Sequence, residues 1–270
     1  MADSMDGAYA GNAPLLPQAG WRRPAWVLAA LLVVLALSQW PALRQAPLAK
    51  HLLTWSPALL LGMLANIQIS VLAMLIGTLA GLVIGALQLS GLRVVRVLTH
   101  CYVQTFRNAP MLILIYFSTY VFPFEIHVGA HYVAFPDWLK VTLGLALPAS
   151  ANVAEIFRGA ILSIPAAQWE AASSLAFRRT QLLRWIILPQ CLRRMLPPWM
   201  NLYAGITMGT ALASLVGVHD LLDTAQIAST TVNRVDFTVA IYFTTLLLFF
   251  VYCYPISRYT HYLERKYAFT

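Results

Sequence analysis

The chain has 270 residues, 60% of them hydrophobic and only 10% charged, against about 25% charged residues in soluble globular proteins. Its net charge of +8 would suit a nucleic-acid partner. However, the basic residues stand between apolar runs instead of along one soluble face, the distribution of a membrane chain with cytoplasmic Lys and Arg. Cys101, Cys191 and Cys253 lie far apart, which excludes a close Cys/His zinc cluster and a secreted disulfide framework.

Residues 1–23, with two prolines and three glycines, read as a flexible cytoplasmic tail. An apolar stretch over 24–40 follows Arg22-Arg23. A signal peptide shares that basic flank and apolar centre, but Pro41-Ala-Leu-Arg44 offers no small-residue cleavage site, and a retained transmembrane helix is expected. The second span, 57–88, is about 50 Å long as a continuous helix, against hydrocarbon near 30 Å, so it must tilt, bend or project. Within it Gly77, Gly81 and Gly85 share one helix face and allow close packing, either within the chain or against a second subunit.

A third span is predicted from Val97 to Val121, ended by Pro123. A polar loop carrying Glu125, His127, His131 and Asp137 follows, its histidines read as surface groups, not metal ligands. The fourth span runs from Trp138 to Ala154 and ends on Glu155 and Arg158, spaced to pair on one helical side. Residues 159–194 then interrupt the spans with a mixture of arginines and large apolar side chains that reads as short amphipathic helices. The fifth span covers Met195–Val218. After a loop with Asp220, Asp223, Arg234 and Asp236 comes the sixth, Phe237–Pro255. With the N-terminus inside, 14 of the 18 Lys and Arg fall on cytoplasmic segments, which predicts both termini and the 159–194 loop on the cytoplasmic side.

The loop reads Glu155-Ile-Phe-Arg-Gly-Ala-Ile-Leu-Ser-Ile-Pro165, then Ala-Ala-Gln-Trp-Glu170-Ala-Ala-Ser-Ser-Leu-Ala-Phe-Arg178, and closes on Ile187-Leu-Pro189. This resembles the coupling-loop signature of ATP-binding-cassette importer permeases, in particular the polar amino acid uptake family with its histidine/glutamine/arginine-type membrane subunits. Gly62 to Gly85 resembles the family's first core helix, and Tyr102-Val-Gln-Thr-Phe-Arg107-Asn-Ala-Pro110 its next helix entrance. The likeness covers 57–265. It implies an all-α polytopic membrane protein: a five-helix type I importer permease core with an additional N-terminal transmembrane helix.

Two positions depart from the family pattern. Ala176 stands where the family usually has Gly, and Met208-Gly209-Thr210-Ala211-Leu212 replaces a Lys-Asp-Thr-Ser-Leu pattern. Loss of both charges points to one member of an asymmetric permease pair.

The resemblance implies a permease subunit of an amino acid importer in the bacterial inner membrane, working by alternating access. The alternatives are a type I permease for another small polar solute, or a membrane scaffold that recruits an ATPase without transport. No Gly-rich phosphate loop ending in Gly-Lys-Ser/Thr occurs, so no cofactor is expected on this chain and no enzymatic activity. ATP and Mg2+ are expected on two separate ATP-binding subunits. The other expected partners are a second permease subunit, identical or not, an external amino-acid-binding protein, a small polar solute and membrane lipid, with no nucleic acid. Glu170, Ala171, Ala172, Leu175, Ala176, Phe177 and Leu183 are the expected ATPase-coupling residues. Glu170 would meet an ATPase arginine, or else cap or neutralise its own helix beside Arg178 and Arg179. Glu155, Arg158, Gly159, Pro165 and Pro189 are expected to position the loop. A free amino acid needs replacement polar partners inside protein; Asn66, Gln68, Asn152, Asn201 and Thr210 are candidates for that path, or satisfied structural groups.

Overall fold

The structure, a computed structural model, describes residues 47–128 and 131–267. The expected tail over 1–23 and the extra helix over 24–40 lie outside them. α1 runs Pro47–Gln88, about 63 Å at 1.5 Å per residue, with Pro57 inside it. α2 (Arg93–Asn108) and α3 (Met111–Val121) follow. A hairpin of β1 (Glu125–Val128) and β2 (His131–Ala134) leads to α4 (Asp137–Leu162). The loop contains α5 (Ala166–Ser174) and the single turn α6 (Arg179–Gln181). A π-helical turn, Leu182–Ile187, leads into α7 (Leu188–Gly209), which tightens into a 3-10 segment, Thr210–Val216. α8 (Leu221–Val232) and α9 (Val235–Tyr267) complete the chain.

Three of these helices, α1, α4 and α9, are long and apolar enough to cross a membrane. The stretch Arg179–Val216 with α8, bent by 48°, forms a fourth candidate. The third span expected from Val97 to Val121 is divided. Pro110 has no amide hydrogen and pushes Ala109 out of the helical region, to φ −75° and ψ 134°. Of that stretch only α3 is predominantly apolar. The loop expected before Asp137 is partly a hairpin, antiparallel with Glu125 opposite Ala134 and Val128 opposite His131. Ile126, Val128, Tyr132 and Val133 are strand formers. The segment after Val218, expected as a loop, holds α8. Asp220 caps it, its Oδ1 accepting the Asp223 amide at 2.8 Å.

The described residues from His51 onward form one compact unit. Its main core joins Ile69, Ala73 and Met74 of α1 to Ile115 of α3, Val141, Leu145, Ala149 and Val153 of α4, and Ile206 and Ala213. The glycine strip is used within the chain. A Cβ on Gly77 would lie 2.6 Å from that of Ala149, one on Gly81 2.6 Å from the Ser150 oxygen, and one on Gly85 2.8 Å from the Ala154 oxygen. α1 and α4 therefore touch backbone to backbone along three turns.

Candidate functional site

The loop between α4 and α7 is built from its ends inward. Glu155 and Arg158, near the end of α4, pair as the spacing predicts. Arg158 Nε donates to Glu155 Oε2 at 3.0 Å and Nη2 to Oε1. α4 runs through Gly159, which is exposed, and a side chain there would meet nothing of this chain within 4 Å. Ser163 stops the helix and Pro165, with φ −55° and ψ 141°, stands at the cap position of α5. At the far end Pro189 occupies the first turn of α7. It cannot donate to the Trp185 carbonyl four residues earlier, and its ring crowds that carbonyl. The π turn over Leu182–Ile187 widens the backbone at this point.

A second, smaller core holds the loop. Ala160, Ile161 and Ile164 meet Ala172 of α5, Leu182 and Ile187 of the π turn, and Cys191 and Met195 of α7. Burial of a side chain such as Leu182 or Ile187 contributes about 1.5–3 kcal/mol. Trp169, Phe177 and Leu183 pack on its edge, so the expected coupling residues divide into two groups. Glu170, Ala171, Leu175 and Ala176 are exposed, Leu175 to 72%. Ala172, Phe177 and Leu183 serve the interior. Among the described residues the Glu170 carboxylate has no ion pair with Arg178 or Arg179. Trp185, exposed and edge-on to Phe177 with centroids 6.3 Å apart, joins this outer surface and was absent from the predicted set.

α5 ends in a turn that closes two hydrogen bonds. The Ala176 amide donates to Ser173 O at 3.0 Å and the Phe177 amide to Ala172 O at 3.3 Å. This Schellman geometry needs a left-handed residue, ordinarily Gly. Here it is Ala176, at φ 56°.

The five polar candidates for a solute path are not gathered. Asn66 and Thr210 are brought together, both fully buried, in a knot that joins α1 to the start of α8. Asn66 Nδ2 donates to Thr210 Oγ1 at 2.9 Å and to Asp220 Oδ2 at 3.1 Å, and its Oδ1 accepts the Leu221 amide at 2.9 Å. Asn152 turns back on its own helix and donates to Pro148 O at 2.8 Å. Asn201 lines a separate recess with Arg194, Pro197, Pro198, Glu264 and Tyr267. Gln68 alone opens on a cavity of about 500 Å³ with Ala65, Ile69, Asp137, Trp138, Gly217, Val218 and His219. Asp137 is held there by Lys140, whose fully buried Nζ lies 3.0 Å from Asp137 Oδ1 and 3.7 Å from the centre of the Phe124 ring. His219 is tied through Nδ1 to Asp223 Oδ2 at 2.7 Å. Asp137, Trp138 and His219 were not among the predicted path residues. Only the fold draws them beside Gln68.

Long apolar helices flanking an amphipathic loop define a polytopic membrane component. Residues 73–269 match the family described as the binding-protein-dependent transport system inner membrane component. The chain is 32% identical over 212 residues to the probable amino-acid ABC transporter permease protein YckA of Bacillus subtilis, covering 78% of this chain and 90% of that protein. It is 28% identical over 210 residues to the L-cystine transport system permease protein TcyB of the same organism, covering 78% and 86%. A crystal structure of an amino acid ABC transporter with histidines superposes with a TM-score of 0.70 at 25% identity, covering 80% of this chain and 96% of that one. The chain belongs to the family of binding-protein-dependent transport system inner membrane components.

Proposed function

We propose that the chain is the membrane-spanning permease subunit of an ATP-driven amino acid importer. Its coupling surface is the outer face of α5 with Glu170, Ala171 and Leu175. The observation that carries this reading is a short helix backed by its own small core, clasped between two membrane helices, with an acidic residue and an exposed leucine on its free side. The amino-acid permease names of the relatives support the solute class. The permease domain spans 57–265, with the loop over 159–194 and both termini in the cytoplasm, in keeping with the distribution of Lys and Arg.

Two ATPase subunits, which carry ATP and Mg2+, dock on the loop. A second permease subunit, identical or not, completes the pore, and an external amino-acid-binding protein delivers cargo. Glu170 meets an ATPase arginine in a charge-assisted contact, and Leu175 with Trp185 fills an apolar groove beside it. The loop-positioning set, Glu155, Arg158, Gly159, Pro165 and Pro189, transmits movement of the docked subunit to α4 and α7. The polar cavity at Gln68, Asp137 and His219 offers partners for both the ammonium and the carboxylate of an amino acid. Alternating access follows when nucleotide binding favours one arrangement of the helices over the other.

The test is accumulation of labelled amino acids in vesicles holding the complete complex. Uptake is expected only with ATP and the binding protein, and Glu170→Ala is expected to reduce ATPase docking or coupled turnover while the complex still assembles in the membrane. Uptake of a different polar solute in place of amino acids would reassign the substrate. ATPase recruitment without any uptake would make the chain a scaffold.

A further inference from the structure

α2 presents three separate faces. Val95, Thr99, Tyr102, Val103 and Phe106 turn inward, where the Tyr102 hydroxyl lies 2.8 Å from that of Ser150 on α4. Arg93, Arg96, His100, Gln104 and Arg107, at successive spacings of three or four residues, form an exposed polar and basic face. Val94, Val97, Leu98 and Cys101 form an exposed apolar face between the two. A soluble helix has no use for that third face, whereas one at a membrane boundary does.

The basic and apolar faces meet at a recess of about 620 Å³ lined by Gln88, Leu89, Arg96, Val97, His100, Cys101, Arg158 and Leu162. Gln88 is only 4% exposed, and neither its Nε2 nor its Oε1 has a hydrogen-bond partner. Buried side-chain amides are paired in nearly all proteins, and this one sits at the wall of a cavity bordered by three basic side chains. Arg96 and His100 make no side-chain hydrogen bond or ion pair among the described residues. Arg158 gives Nε and Nη2 to Glu155 and keeps its remaining N–H donors. The nearby acidic group, Glu155, is thereby engaged. The recess combines an excess of cationic donors, an orphaned amide and apolar walls continuous with an outward hydrocarbon-compatible stripe.

We propose that this recess binds the phosphodiester headgroup of an anionic phospholipid. Arg96, His100 and Arg158 take its oxygens, Gln88 donates its amide hydrogens, and the acyl chain lies along Val97, Leu98 and Cys101. A lipid is the molecule that sets an anion beside hydrocarbon in a membrane, and basic recesses at helix ends suit such headgroups. The site is independent of which solute the complex carries, so its failure leaves the transport reading untouched.

The test is lipid retention by the assembled complex in detergent, measured by native mass spectrometry and by thermal shift. The probes are phosphatidylglycerol, phosphatidylcholine and inorganic phosphate. The wild type is expected to retain phosphatidylglycerol in preference to phosphatidylcholine, with inorganic phosphate giving little protection. Arg96→Gln is expected to weaken phosphatidylglycerol binding about tenfold, the loss of one charge-assisted contact. Gln88→Leu, which removes the orphaned amide at similar size, is expected to weaken it as well without lowering stability in lipid-free detergent, and it decides the matter if Arg96→Gln does not assemble. Equal retention of both lipids, unchanged phosphatidylglycerol binding in Gln88→Leu, or full protection by inorganic phosphate alone would each overturn the proposal.

Discussion

Arg194 reaches back across 31 residues to Ser163, its Nη1 donating to the backbone oxygen at 2.6 Å and lying 2.8 Å from the hydroxyl. The contact joins the end of α4 to α7 and closes the base of the loop that carries α5. It also gives a reason for the serine of the Ser163-Ile-Pro165 sequence. That residue stops a helix and receives the arginine that clamps the other end of the loop.

Arg194→Met is expected to remove hydrogen bonds to a charged group, together worth about 1.5–3 kcal/mol. α5 would remain folded on its small core but would follow α7 less faithfully. The amount of solute moved per ATP hydrolysed should therefore fall while the complex still forms. An unchanged ratio in reconstituted vesicles would count against a role for the clasp.

Ala176 adopts a left-handed conformation at φ 56°, which costs a residue with a Cβ about 1–2 kcal/mol. Ala176→Gly should relieve that cost, offset in part by the greater freedom of glycine in the unfolded chain, for a net gain of up to about 1 kcal/mol. Slower amide exchange across residues 166–187 is the expected readout. Ala176→Val should speed exchange there. Identical behaviour of the two variants would show that the turn does not limit opening of the loop.

The close contact of α1 with α4 predicts intolerance at Gly81. A Cβ there falls 2.6 Å from the Ser150 oxygen and 2.7 Å from Val153 Cβ, both on a helix that cannot give way locally. Gly81→Leu should cost at least the 1–3 kcal/mol, roughly, of an overpacked core, seen as a lower melting temperature in detergent. A matching substitution at Gly91, which has nothing within 4 Å, should be nearly silent.

The knot of Asn66, Thr210 and Asp220 predicts non-additive mutations. Asn66→Leu leaves Asp220 Oδ2 and the Leu221 amide without their partners in the interior, each unsatisfied group costing about 1–3 kcal/mol. Asp220→Ala additionally removes the cap of α8, about 0.5–2 kcal/mol. The double substitution should cost less than the two single losses together, because groups in one network couple. Simple additivity in chemical unfolding would argue against the shared network.

Several features were readable from residue order because they depend on neighbours in sequence. The apolar runs of α1, α4 and α9, the Glu155–Arg158 pair and the glycine face needed only helical periodicity. α8, expected as a loop, also carries a signal in its sequence. Asp220 is a favoured capping residue, and Leu221, Ala225 and Ala228, all buried, repeat at helical spacing through a polar stretch. Pro110 likewise marked the break between α2 and α3.

Other features depend on distant contacts. Lys140 is a charge near the start of the fourth span, and its full burial against Asp137 and Phe124 follows only from the fold. The cavity beside Gln68 needs three segments brought together by folding. Trp185 belongs to the outer loop surface only because the π turn sets its direction. The split of the coupling residues into outer and inner groups follows from the second core, which no linear pattern reveals.

That wide turn has a consequence for how the gene can change. An extra residue in an ordinary helical turn displaces everything downstream by about 100° around the helix axis, whereas a π turn takes it in and keeps the flanking residues in phase. A single-codon deletion within Leu182–Ile187 would restore ordinary winding and leave Cys191 and Met195 facing their pocket. Loss of one residue should thus be better tolerated in this six-residue stretch than within α7, where it would turn every later side chain by about 100°.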